Sequence, residues 1–196
     1  MSLPPLGGIV LAGGKSSRMG RDKALLEFGG ETMVARAVRV MGEVCERVWI
    51  SGPEGLAEFG EVLGDEIAGC GPLAGVCAGL AASDFEWNIV MAVDMPLMTA
   101  EFLQELAERA LRSEADAVVP VVEGREEPLV AAYRRGLEGG LRAALEGGRL
   151  KMMGAVREAG SVEVFPVSAG VERFRNVNTG AEWEETKSRF LGCAAE

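Results

Sequence analysis

The feature that most constrains this chain is an alternation running from end to end: short apolar runs closed by turn residues, each followed by a segment with helical spacing. Gly8-Ile-Val-Leu11 and Arg47-Val-Trp-Ile-Ser51 read as strands, the second ending at the turn signal Gly52-Pro53. Trp87 to Val93 is the most strand-like segment, and Ala117 to Val122 is another apolar strand. Leu129 to Tyr133 is expected to pair with that strand after the polar turn Glu123 to Glu127. Glu61 to Leu63 reads as a short strand and Val162 to Val167 as a late one. Between them, Thr32 to Cys45 carries a helical stripe of Met33, Ala37, Val38, Val40 and Met41, with Thr32 as N-cap. Pro72 to Ala82 opens on a proline, as helices favour, and Thr99 starts a helix to about Arg112. Gly136 to Gly148 has helical spacing of Leu137, Leu141 and Leu145, weakened by its glycines. Thr179-Gly-Ala-Glu182 is a capping box opening a last helix to about Phe190.

Strands alternating with helices of this length predict an α/β fold, a single three-layer domain with a mostly parallel twisted sheet covered by helices on both faces. Nothing reads as a linker or repeat, so one domain is expected over residues 1–196, with 1–5 and 191–196 as loose termini. In such open sheets ligands sit at the carboxyl ends of the strands. Ala12 to Lys23, Ser51-Gly52 and Asp94 to Met98 are therefore expected to share one edge.

Composition removes whole classes of chemistry. The chain contains no histidine, which excludes Ser-His-Asp and Cys-His arrangements, the HExxH zinc site and an imidazole base. Carboxylates, Lys, Arg, backbone amides and a hard metal ion remain. A net charge of −10 argues against nucleic acid as a partner. The apolar runs are too short to span a bilayer, and no signal peptide opens the chain, so a cytoplasmic protein is expected. Cys45, Cys70, Cys77 and Cys193 lack metal-ligand spacing and read as reduced thiols.

Against that acidity, the segment Leu11-Ala-Gly-Gly-Lys-Ser-Ser-Arg-Met-Gly-Arg-Asp-Lys23 stands out. Its adjacent glycines let the backbone approach a ligand, and its successive amides can form an anion-accepting concavity. Lys15, Arg18, Arg21 and Lys23 set four cations against the single acid Asp22, which suits a polyphosphate. It is not a P-loop, because Ile9 stands where the first glycine belongs, and the dinucleotide pattern G-x-G-x-x-G is absent. A solvated loop whose cations happen to cluster is the bland alternative. Asp94-Met-Pro96 places a carboxylate just past a buried strand, where it could hold Mg²⁺ beside phosphates or simply begin a turn. Asp65 is a second, weaker acid. Gly69-Cys-Gly-Pro-Leu-Ala-Gly75 leads into a small-residue helix that packs closely on a sheet or faces an anion. Asn176-Val-Asn-Thr179 is a polar junction before the last helix, where Asx residues commonly cap.

Taken in order, Leu11-Ala-Gly-Gly-x-Ser-x-Arg-Met-Gly-x-Asp-Lys23, Gly71-Pro-Leu-Ala-Gly75, Asp94-Met-Pro96 and Asn176-Val-Asn-Thr179 resemble the molybdenum cofactor guanylyltransferases. These are the molybdopterin-guanine dinucleotide biosynthesis protein A family of nucleotidyltransferases, with a Rossmann-like fold, and the resemblance spans roughly Gly7 to Phe190. It implies transfer of GMP from GTP to a molybdenum-bearing pterin phosphate, with pyrophosphate released. By this resemblance Leu11, Ala12, Gly13 and Gly14 contact the nucleotide, and Arg18 and Lys23 meet its phosphates as catalytic cations. Asp65 contacts the nucleotide, Asp94 is the catalytic Mg²⁺ ligand, and Asn176 and Asn178 lie on the acceptor side. The family often carries asparagine after the second strand, near the base; here Ser51 occupies that place and becomes the candidate nucleotide contact. The expected partners are GTP and the pterin cofactor, with transient contact to cofactor-synthesis or molybdoenzyme proteins, and a monomer is the default. The rivals are a cytidylyltransferase on the same cofactor, another small-molecule phosphate nucleotidyltransferase of this fold, and a non-catalytic nucleotide-binding protein. Gly136 to Gly160, with Arg142, Arg149, Lys151 and Arg157, reads as a solvated helix pair rather than a docking surface.

Overall fold

A computed structural model of the chain describes residues 4–13, 23–64, 70–177 and 179–191. Strand β1 (Gly7–Leu11) is buried along its whole length, as a continuous apolar run requires of a strand covered on both faces. A hairpin of two short strands follows, β2 (Glu27–Phe28) and β3 (Glu31–Thr32). It turns at Gly29 and Gly30, whose φ values of 63° and 88° are those of the primed turn that matches strand twist. Helix α1 (Met33–Gly42) begins directly, and Thr32 Oγ1 caps it by accepting the Ala35 N–H at 3.3 Å. The chain continues through β4 (Arg47–Ser51), β5 (Glu61–Leu63), α2 (Pro72–Ala82), β6 (Trp87–Ala92) and α3 (Ala100–Arg112). After these come β7 (Ala117–Val122), β8 (Arg125–Glu126), β9 (Val130–Arg134), α4 (Glu138–Glu146), α5 (Met152–Ala159), β10 (Val162–Val167) and α6 (Gly180–Leu191).

The main sheet has the order β10-β7-β9-β6-β1-β4-β5, with β8 beside β7. β1 runs parallel to β4 and β6, β4 to β5, and β7 to β10, so the expected mostly parallel sheet is borne out. The Leu129–Tyr133 segment pairs with β7 as expected. As β9 it also pairs with β6, lying between the two strands and antiparallel to both. Its composition explains the position: Val130, Ala131, Ala132 and Tyr133 are all fully buried, so both faces are apolar and only a central slot covers both. The Tyr133 hydroxyl is satisfied by donating to the Pro128 carbonyl at 2.8 Å.

Helices α1 and α3, with Trp183 of α6, share one core with Val10, Ile50 and Ile89. Helices α2, α4 and α5 cover the other face over Ile9, Val90 and Tyr133. The segment read as a helix from Gly136 starts as a 3-10 turn at Arg135–Leu137 and becomes α-helical at Glu138. Its arginines stand in ion pairs, Arg142 with Glu138, Arg149 with Glu158, and Arg157 with Glu126. The last helix opens on the reciprocal bonds the capping box calls for: Thr179 N to Glu182 Oε2 at 2.9 Å and Glu182 N to Thr179 Oγ1 at 3.2 Å. Cys45 and Cys77 are buried, and burial pushes the Cys45 thiol up to about 12.

Two glycines set how closely α2 approaches the sheet. A Cβ on Gly75 would meet Ser51 Oγ and stand 2.9 Å from Leu11 Cδ2. One on Gly79 would run into the branched side chain of Ile9, 2.6 Å from Cγ1 and 2.8 Å from Cγ2. The Ile9 contacts include both carbons at its branch and not only the side-chain end, so there the helix or the strand must move. Gly79→Ala is expected to destabilise the fold by about 1–3 kcal/mol, the usual cost of overpacking, and to lower Tm measurably in a thermal melt. An unchanged Tm would mean that this face is loosely packed.

Candidate active site

The ends of β4, β1 and β6 lie level. In the registers, Leu11 faces Ser51 on one side and Ala92 on the other. The pairing runs just past the strands, with Ala12 N–H donating to the Ser51 carbonyl at 2.8 Å and Val93 N–H to the Leu11 carbonyl at 3.0 Å. Three loops therefore leave one edge together: Ala12-Gly13 from β1, Gly52-Pro53 from β4, and Val93-Asp94-Met95-Pro96 from β6. That edge is where an open α/β sheet binds its ligands.

Leu11 and Ala12 are buried there and Gly13 is exposed. The chain next described is Lys23, which begins a 3-10 turn to Leu25; Leu26 N–H returns to the Lys23 carbonyl at 3.1 Å. This turn brings Lys23 Nζ to 3.9 Å from Asp94 Oδ2, with both side chains about four-fifths buried. Asp94 sits in the turn after β6. Burial raises its carboxyl above the ordinary value of 3.8, while the Lys23 charge and a backbone hydrogen bond pull the other way. The segment at Asn176 closes on the Asp94 turn: Val177 N–H donates to the Asp94 carbonyl at 2.9 Å, placing Asn176 at the same edge. The Asn176 Oδ1 atom is buried with no hydrogen-bond partner. Ser51, only 3% exposed, turns its hydroxyl under Gly75, so what it presents to the edge is backbone. Gly14, Arg18, Asp65 and Asn178 lie outside the described residues.

Arg36 belongs to this site and is not singled out by the motifs. From α1 its Nε donates to the Pro96 carbonyl at 2.5 Å, while Nη1 pairs with Glu31 Oε1 at 3.0 Å. Glu31 is held well below the usual carboxylate range, chiefly by Arg39, whose Nη2 reaches Oε1 at 2.7 Å. A signal for Arg36 was present. Met33, Arg36, Ala37 and Val40 fill the i, i+3, i+4, i+7 template of a buried helix face, and a charge within that template needs a partner.

With this geometry in place, the relatives are informative. The MobA-like NTP transferase domain family matches residues 8–161. The chain belongs to that family. It is 37% identical over 185 residues to a Mycobacterium tuberculosis H37Rv protein named "Probable molybdenum cofactor guanylyltransferase", covering 90% of each chain. A Bacillus mycoides protein of the same name is 34% identical over 191 residues, covering 92% of this chain and 94% of its own. Among solved structures, molybdopterin-guanine dinucleotide biosynthesis protein A from Archaeoglobus fulgidus superposes with a TM-score of 0.81 over 97% of this chain and 100% of its own. At 24% identity that likeness speaks for the fold. The resemblance carried by the motifs is thus borne out, and the level edge of β4, β1 and β6 is the candidate site of an NTP transferase domain. No described helix is long and apolar enough to cross a membrane.

The raised Asp94 carboxyl has a consequence for stability. It binds its proton more tightly in the folded chain than in the unfolded one, so it favours folding at low pH. That contribution is lost as pH rises from the ordinary value of 3.8 through the raised folded value. In metal-free, nucleotide-free buffer, Asp94→Asn is therefore expected to melt no lower than the wild type at neutral pH, with a flatter dependence on pH through the acid range. A lower Tm at neutral pH would mean that the Lys23 charge outweighs burial.

Proposed function

We propose that this chain transfers GMP from GTP to the terminal phosphate of a molybdenum-bearing pterin, forming a guanine dinucleotide cofactor and releasing pyrophosphate. The observation that carries the reading is the Lys23–Asp94 pair, 3.9 Å apart at the edge where the glycine loop leaves β1. The names of the two relatives, each more than 30% identical over nearly the whole chain, supply the substrates.

The chemistry needs no proton transfer. An acceptor phosphate oxygen, already ionised at neutral pH, attacks the α-phosphorus. A new P–O bond forms as the bond to the α,β-bridging oxygen breaks, and pyrophosphate leaves with the electron pair. A chain without histidine can catalyse such a step, because the obstacle is bringing one anion against another. Lys23 would neutralise phosphate charge and Arg18 would add a second cation. Ala12, Gly13 and Gly14 would offer backbone amides, and Asp65 a further contact to the nucleotide. Asn176 and Asn178 would face the acceptor, the unpartnered Oδ1 of Asn176 being a buried acceptor in want of a donor.

The donor set suits Mg²⁺. A hard ion that keeps several waters and binds phosphate oxygens needs only one or two protein carboxylates, and Asp94, four-fifths buried beside Lys23, would be one. When bound, the ion would screen the phosphates and stabilise the departing pyrophosphate. The same reading makes the chain a cytoplasmic enzyme, acting as a monomer without nucleic acid, in passing contact with cofactor-synthesis or molybdoenzyme proteins.

Pyrophosphate release with the pterin acceptor and each of the four triphosphates tests the proposal. Signal with GTP is expected; signal with CTP alone would replace it with cytidylyl transfer, and none with any triphosphate would leave a nucleotide binder. Asp94→Ala is expected to lower turnover by about a hundredfold or more while the fold persists, the scale of losing one positioned charge-stabilising group. Full activity of that variant with Mg²⁺ would remove Asp94 from the reaction.

A further inference from the structure

The turn that carries Asp94 packs Val93, Met95, Leu97 and Met98 into the core, largely against other methionines. Beneath Met95 and Pro96 lies a void of about 10 Å³, lined also by Met33, Met91, Met98 and Arg36. Methionine side chains fill irregular gaps but specify position poorly. Hydrogen bonds from other segments therefore bear on where this turn sits. One is Val177 N–H to the Asp94 carbonyl at 2.9 Å, and the other is Arg36 Nε to the Pro96 carbonyl at 2.5 Å.

The second bond has a further anchor. The Arg36 guanidinium also pairs with Glu31 of β3 at 3.0 Å and lies over the Phe28 ring of β2, 5.6 Å from its centroid. Glu31 is gripped in turn by Arg39, and Phe28 packs on Trp183 of α6 at 5.8 Å. The β2–β3 hairpin follows directly on the Lys23 turn, and Met33 N–H closes it by donating to the Leu26 carbonyl at 2.9 Å. One side chain thus bridges the segment that follows Lys23 and the turn that holds Asp94.

We infer that Arg36 is a positioning residue: it sets the Asp94 carboxylate beside Lys23, where that carboxylate would hold a divalent ion bound with nucleotide phosphates. The inference rests on the proposed nucleotidyl-transfer reading. Arg36 acts through the Pro96 carbonyl and does not touch substrate. Lysine could keep the charge, but it has neither the planar fork nor the paired donors needed to reach both Pro96 and Glu31.

The test is calorimetry with the non-cleavable analogue α,β-methylene GTP, titrating Mg²⁺ into wild type, Arg36→Lys, Arg36→Met and Glu31→Gln, with Tm measured on each. Both Arg36 variants are expected to raise the Mg²⁺ concentration at half-saturation by about tenfold or more, the scale of removing a group that orients a metal ligand. Glu31→Gln, which slackens the fork but leaves the Pro96 bond, is expected to raise it less. Analogue affinity at saturating Mg²⁺ should change little. An unchanged Mg²⁺ midpoint in Arg36→Lys and Glu31→Gln would overturn the inference, as would a loss of binding that tracks a fall in Tm across the variants, since that marks a structural arginine. Failure of the wild type to bind the analogue would instead sink the nucleotidyl-transfer reading itself.

Discussion

Leu11 is held in register on two sides at once, by Ser51 of β4 and Ala92 of β6, and the candidate site depends on that parallel triplet. Parallel strands that end level send their loops over one edge, so three segments distant in sequence meet without any contact having been selected between them. The triplet in turn depends on how closely α2 can cover it. Gly75 and Gly79 bring the helix backbone down onto Leu11, Ser51 and Ile9, sealing one face right up to the edge. The other face is sealed by α1 and α3, and α1 also reaches the site through Arg36. Fold and site are therefore coupled: the helices that bury the strands also hold the loops leaving them.

At that edge the structure works against itself electrostatically. Asp94 is a carboxylate kept mostly out of water, where desolvation disfavours its charge more than Lys23 favours it. Such a group is retained where backbone and packing leave it no alternative. Here its own carbonyl is tied to Val177 and that of Pro96 to Arg36, which fixes the backbone from which the acid projects. A buried carboxylate beside a cation is poised to gain from a further positive charge, which a divalent ion carried in with a polyphosphate would bring. The desolvation that disfavours the Asp94 charge is what a bound divalent ion would offset.

Much of this was legible in the sequence because strand and helix periods are local and the caps are short-range. Thr32, Thr99 and the Thr179–Glu182 box all cap as their spacing demands. The convergence of Ala12, Ser51 and Asp94 followed from chain alternation alone, since parallel sheets leave little choice of edge. What was not legible is non-local. The β9 strand reads as a hairpin partner of β7 along the chain, and only the filling of both its faces by Val130 to Tyr133 assigns it the slot beside β6. The β2–β3 hairpin is too short to show a period. Arg36 escaped because its partner, Pro96, lies 60 residues away. The setting of Ser51 is non-local for a similar reason: its neighbour Gly75 comes from another element, and α2 approaches its hydroxyl closely.

Charge distribution links the fold to the ligand. A chain of net charge −10 repels a polyphosphate at long range, so binding needs local positive potential that the rest of the surface does not supply. Most arginines whose side chains are described stand beside glutamates: Arg39 with Glu43, Arg47 with Glu61, Arg112 with Glu108, Arg134 with Glu86, Arg175 with Glu185. Those pairs spend positive charge on the surface, where it is screened and worth little. Lys15, Arg18, Arg21 and Lys23 have a single acid among them in sequence, and they follow the glycine pair that leaves β1. Among the described residues, Lys23 is the cation that stands at the edge where the first loop leaves β1, beside Asp94. For a reaction between two phosphates, such charge replaces the base that a histidine-free chain does not possess.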